Sequence, residues 1–289
     1  MTGSLGPLRV GRIPFLVCAP YFHASLEGMP GVTFVDGPPR ALNALLASGA
    51  IDAAPSSSFE YARNPDEYLL LPGLCTSGRG EVKSVLLFSR EPWEKLDGKR
   101  VALSPDSDTS NALVRALSRF RFGVVPEFLV DAAPADTPRI AAKADTQRIA
   151  AKAAIGDAAL REAATGDWPY RYDLARVWTE WRGTSLPFGV WILRRDAARR
   201  APEAVAAYAR HLRESLAAFF AAPSERLQAW GASFGLPLPP EAALDFFSTA
   251  DYALTGSHER ALRDYFGMCA ELGLIPKAPG LEWFDEKGD

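Results

Sequence analysis

Short apolar runs alternate with amphipathic stretches along the first half of the chain. Residues 8–15 and 32–35 read as strands. Residues 38–48 predict a helix: prolines open it, Leu42, Leu45 and Leu46 share one face, and Gly49 stops it. Residues 51–54 read as a short buried strand, and residues 56–63 as a helix opened by serines. Further strands are expected at 68–71 and 84–88. Strands alternating with helices imply a largely parallel sheet covered on both faces.

A second unit begins near Glu91. It holds a helical turn at 93–97, a strand at 101–103, a helix at 110–120 and a strand at 127–130. Residues 186–193 contain a strand that leads back to the first unit. A long helix over 201–222 carries Val205, Tyr208, Leu212 and Leu216 at helical spacing, and helices follow at 225–234 and 259–272. The stretch from Arg139 to Asp145 is nearly repeated from Arg148 to Ala154. That period is too short for a solenoid, and the composition predicts one lengthened Ala-rich helix. The expected fold class is α/β with two lobes. Lobe one spans 1–90 plus 190–289, and lobe two spans 91–189. A ligand cleft lies between them, with the connections as a hinge.

At 289 residues, 48% hydrophobic and 23% charged, the chain has the composition of a folded protein of one large or two medium domains. A net charge of -3 gives no electrostatic case for a nucleic-acid partner. Cys18, Cys75 and Cys269 are far apart and form no CxxC, so neither a disulfide framework nor a zinc site is expected. His23, His211 and His258 are equally scattered, and no metal is expected. The first residues show no basic segment followed by an apolar one, and no run approaches about 18 apolar residues. The cytoplasm is the expected location, with no membrane partner.

Candidate chemistry concentrates in hydroxyl clusters at predicted strand ends. Ser56, Ser57 and Ser58 precede a helix. Thr76 and Ser77 stand with Ser84 around a glycine-rich turn. Ser107, Thr109 and Ser110 open another helix. Helix N-termini offer unpaired N–H groups that hold carboxylates, and hydroxyls add neutral donors. The competing reading is N-capping, which is the ordinary use of such residues. Clusters recurring at several strand ends of an α/β chain favour a binding cleft. Gly156 and Asp157 follow another strand end, where Asp157 either orients a ligand or caps a helix. Trp178, Trp181 and Trp191 read as an aromatic cluster around Phe188, forming core and cleft wall. No nucleophile elbow, Walker A loop or dinucleotide-binding glycine motif is present.

These residues resemble a known family. Arg9 to Leu16 with Cys18-Ala19-Pro20, Gly49 to Pro55, Ser57 to Arg63, Gly80 to Val85 and Ile155 to Leu160 are similar to motifs of chorismate dehydratases of the futalosine route to menaquinone. The resemblance implies a type II periplasmic-binding-protein-like fold. It also implies loss of water from chorismate to give 3-[(1-carboxyvinyl)oxy]benzoate, with aromatisation as driving force and no cofactor. By motif position it makes Ser84 the functional serine. Ser56, Ser57, Ser58, Ser107, Thr109, Ser110, Gly156 and Asp157 become substrate contacts. One position departs: the family carries Asn where this chain has Val17. Valine neither donates nor accepts a hydrogen bond, and loss of one such donor is worth about 2–4 kcal/mol in a transition state. The stretch from Thr184 to Pro187 also differs from the family pattern. The alternative expectation is therefore a non-catalytic or altered-specificity homologue that binds an aromatic or cyclohexadiene carboxylate.

Overall fold

Strands β3 (Ala53–Ser57) and β5 (Val85–Ser89) are buried at every residue, which is why their sequences are small or apolar throughout. They belong to two different sheets. The computed structural model describes residues 7–130 and 149–286. The remaining strands are β1 (Leu8–Arg12), β2 (Val32–Asp36), β4 (Tyr68–Gly78), β6 (Arg100–Leu103), β7 (Glu127–Val130), β8 (Ala151–Ile155), β9 (Tyr170–Asp173), β10 (Gly189–Arg194) and β11 (Ala250–Ala253). A six-stranded sheet has the order β11-β4-β10-β3-β1-β2, and a five-stranded sheet has the order β7-β6-β8-β5-β9.

The sheets are mixed, which corrects the expectation of a largely parallel arrangement. β1 pairs parallel with β2 and β3, but β10 lies antiparallel between β3 and β4. A parallel neighbour needs a crossover that returns the chain to the same sheet end. β10 instead arrives straight from the other sheet and so runs the opposite way. β5 does the same in reverse and is antiparallel to β8 and β9. The outward crossing occupies residues 79–84, ahead of β5, and the return crossing occupies 183–188, ahead of β10. Gly78 makes the outward turn possible: a Cβ there would meet the Glu81 carbonyl oxygen at 1.9 Å.

The helices are α1 (Ala19–Phe22), α2 (Pro39–Ala47), α3 (Ser58–Arg63), α4 (Asp108–Ala116), α5 (Gly156–Thr165), α6 (Leu174–Arg182), α7 (Arg195–Arg200), α8 (Pro202–Ala221), α9 (Pro223–Phe234), α10 (Pro240–Phe246) and α11 (Gly256–Glu271). α8 starts at a proline, and its Val205, Tyr208 and Leu212 are buried as the spacing predicts. None of the described helices is long and apolar enough to cross a membrane.

Two sequence expectations need correction. The first Ala-rich copy lies outside the described residues, but the second ends in β8, a strand held between β5 and β6. Pairing on both sides there outweighs the helix propensity of Ala and Lys. The tryptophans do not form one cluster. Trp191 packs edge-on against Tyr21 (5.3 Å between ring centroids) and Tyr208 (5.8 Å). Trp178, on α6, packs against Trp181 (6.1 Å) and Tyr265 (6.4 Å).

Candidate functional site

Strand ends from both sheets converge on a cavity of about 100 Å³. At about 30 Å³ per water it has room for roughly three waters. Its wall has two characters. The hydroxyls of Ser56 and Ser57 come from the end of β3, those of Thr76 and Ser77 from β4, Ser84 from the start of β5, and Ser107 and Ser110 from the start of α4. Phe15, Val17, Val82, Ile155, Phe188 and Phe246 supply the apolar part. Among the described residues, those lining the cavity include no Asp, Glu, Lys, Arg or His.

Several of the hydroxyls already have work. Ser57 Oγ accepts from the Glu60 N–H (3.2 Å) and caps α3. Ser107 Oγ accepts from the Ser110 N–H (3.1 Å), capping α4, and donates to Ser110 Oγ (2.8 Å). Ser77 donates to the Leu186 carbonyl (2.9 Å), tying the end of β4 to the return crossing. The capping reading is therefore correct for Ser57 and Ser107, and both still face the cavity. Ser56 is different. It is 2% exposed, and its Oγ has no hydrogen-bond partner among the described residues. A buried hydroxyl left unpaired costs about 1–3 kcal/mol, so Ser56 is a donor awaiting a partner.

Ser84 is held by its backbone while its side chain is left free. Its N–H donates to the Val82 carbonyl (2.6 Å), and its carbonyl accepts from the Gly156 N–H (2.7 Å). No hydrogen bond to its hydroxyl occurs among the described residues. Gly156 has a φ of +57°, and a Cβ there would come within 2.8 Å of the Phe15 ring. The two lobes thus meet at the cavity rim through a contact that only glycine permits. Val17 also lines the cavity. Its carbonyl accepts from the Tyr252 hydroxyl (2.7 Å), which fixes the turn at Leu16–Cys18. Burial pushes the neighbouring Cys18 thiol up, so it faces the cavity as a neutral thiol and not a nucleophile.

Ser58, Thr109 and Asp157, named from sequence as contacts, do not line the cavity. Ser56 and Ser57 end β3, whereas Ser58 is the first residue of α3, and its hydroxyl points elsewhere. Ser58 Oγ instead meets Thr109 Oγ1 (3.2 Å), and Thr109 Oγ1 accepts from the Phe59 N–H (3.1 Å). Asp157 Oδ1 accepts from the Leu16 N–H (3.0 Å). All three bridge the lobes. Burial holds the Asp157 carboxyl above its ordinary range, against the opposing pull of the Leu16 N–H and Arg161. Among the described residues no group of three His, Cys, Asp or Glu side chains is placed to hold a metal.

Sequence reasoning missed the apolar half of the wall. Phe15, Val82, Ile155 and Phe246 were not marked as facing a cavity, because an apolar side chain facing a ligand is written like one facing a core. It also missed Asp173, whose carboxylate holds the outward crossing beside Ser84.

Comparison with known proteins follows the same line. A family model described as menaquinone biosynthesis matches residues 8–271. A chorismate dehydratase of Thermus thermophilus is 28% identical over 206 residues, which cover 66% of this chain and 71% of that protein. A crystal structure from Archaeoglobus fulgidus superposes with a TM-score of 0.73 at 23% identity, covering 93% of this chain and 98% of its own. The periplasmic aliphatic sulphonate-binding protein of Escherichia coli superposes with a TM-score of 0.63 at 19% identity, covering 95% of each chain. The likenesses to solved structures show the fold: two α/β lobes of the periplasmic-binding-protein type.

Proposed function

The chain belongs to the menaquinone biosynthesis family, and we propose that it is a chorismate dehydratase. It would eliminate water from chorismate to give 3-[(1-carboxyvinyl)oxy]benzoate. The observation that carries this reading is the lining of the cavity, which combines apolar side chains with neutral hydroxyls and, among the described residues, no charged side chain. An apolar wall suits a ring that becomes aromatic. Neutral donors suit carboxylates that must be held without a fixed cation, because several hydrogen bonds together offset the desolvation of the charge. The unpartnered Ser56 hydroxyl supports such a contact, with Ser57, Ser107 and Ser110 beside it. In the elimination a ring hydroxyl and a proton leave as water. Ser84, with its side chain free and its backbone fixed on both sides, is the proposed donor to the departing hydroxyl.

Three free, buried thiols fit a reducing compartment, and we place the protein in the cytoplasm. We further propose that residues up to Ser84 and from Gly189 form one lobe and residues 85–188 the other, following the sheets. A second reading has a specific observation behind it. Val17 faces the cavity where the resembling family carries an amide, which favours a homologue that binds a cyclic carboxylate without dehydrating it. Incubation of the purified protein with chorismate, followed by chromatography of the product, separates the two. Formation of the enolpyruvyl benzoate is the expected result. Saturable binding with no turnover removes the enzyme reading and leaves the second.

A further inference from the structure

We infer that Asp173 is a positioning residue for Ser84, acting through the crossing that joins the two sheets. The inference rests on the proposed role of Ser84 in the cavity. Asp173 ends β9 and caps α6: its Oδ1 accepts from the Ala175 N–H (3.0 Å) and the Arg176 N–H (3.1 Å). Its other oxygen leaves the helix altogether. Oδ2 accepts from the Val82 N–H (3.1 Å), which Oδ1 shares at 3.3 Å, and from the Lys83 N–H (2.7 Å), both in the outward crossing. One carboxylate therefore takes up donors from two separate segments.

The segment it grips is strained. Lys83 has a φ of +58°, the sole positive value for a non-glycine residue among the described residues. The Ser84 N–H donates to the Val82 carbonyl across it (2.6 Å). A bond from residue i to i+2 over a positive φ is the rarer, strained γ-turn. Such strain persists only where surroundings over-determine it. Asp173 does so from one lobe. From the other, Asp245 accepts from Lys83 Nζ (2.8 Å), so the lysine is held by its backbone on one side and by its side chain on the other. The next residue is Ser84, whose hydroxyl faces the cavity. The turn fixes where that hydroxyl sits, and Asp173 fixes the turn.

Asp173→Asn separates the two duties. Asparagine caps helices as well as aspartate does, so its amide oxygen keeps the α6 contacts. Its NH2 group then faces the Val82 and Lys83 N–H groups, donor against donor. The test titrates 3-hydroxybenzoate into four full-length proteins: wild type, Asp173→Asn, Ser84→Ala and the double variant. Asp173→Asn should weaken binding about tenfold with Ser84 present and less than about twofold with Ser84→Ala, since residues acting as one unit are non-additive. Equal weakening in both backgrounds overturns the inference, because a merely structural loss does not depend on Ser84. If wild type does not bind the probe, the ring-carboxylate reading of the cavity fails, and hydrogen exchange decides the clamp alone. Faster exchange at residues 82–84 of Asp173→Asn, with the rest of β5 unchanged, supports it. Unchanged exchange at 82–84 overturns it.

Discussion

Val17 sits on a turn whose backbone is fixed from outside, by the Tyr252 hydroxyl on its carbonyl and the Asp157 carboxylate on the preceding N–H. A side-chain exchange there changes the cavity wall without moving the turn. Asparagine is close to valine in size, so Val17→Asn adds an amide to the cavity that Ser84 also lines, at little steric cost. If the reaction uses a hydrogen bond from that position, kcat for chorismate should rise by about a hundredfold, the usual worth of one well-placed donor to developing charge. KM should change little, since the gain is made in the transition state. Steady-state kinetics of the two proteins checks this. An unchanged kcat would show that this cavity performs its chemistry without that amide.

At the scale of elements, the start of α3 is capped in part from the other lobe. The first turn of α3 leaves N–H groups without helical partners. Ser57 of its own lobe takes the Glu60 N–H, while Thr109 of the other lobe takes the Phe59 N–H. Thr109→Val keeps the shape and removes the acceptor, leaving a buried N–H unpaired and Ser58 without its partner. Chemical denaturation should show a loss of about 1–3 kcal/mol. Thr109→Ser, which keeps the oxygen, should recover most of it. Equal losses in both variants would mean that the methyl group and not the bond is what matters. The same elements show what sequence could and could not supply. The helix of α2 was legible from its prolines, its leucine face and Gly49, and the serine clusters marked the ends of β3 and the start of α4. β8 was not legible. Its Ala-Lys-Ala-Ala reads as helix, and only the strands on either side make it a strand. Nor could spacing tell which hydroxyls of a cluster face the cavity. That depends on the rotation of each first turn, which sends Ser57 toward the cavity and Ser58 toward Thr109.

At the scale of the whole molecule, the contacts between lobes include a carboxylate that burial disfavours. Asp157 bonds the Leu16 N–H across the cleft, yet burial raises its pKa above the ordinary carboxylate value. The sign of the consequence is fixed by linkage. A folded-state pKa above the unfolded one means that the folded protein binds the proton more tightly. This group's contribution is therefore fully present below the ordinary carboxylate range and is lost as pH rises through the raised value. Glu60 and Asp173 are shifted in the same direction by burial, whereas Asp52, paired with Arg9 and Arg200, is shifted the opposite way. Total stability mixes these groups, so the informative quantity is a difference. Asp157→Asn retains an acceptor for Leu16 and carries no charge to bury. Its Tm relative to wild type should be lowest near pH 3.5 and climb as pH rises toward 7. Paired thermal melts across that interval read the slope directly. A difference independent of pH would show that Asp157 titrates alike in the folded and unfolded chain. A difference that falls with pH would show the carboxylate to be stabilised where it sits, making the bond to Leu16 stronger than the cost of burying the charge.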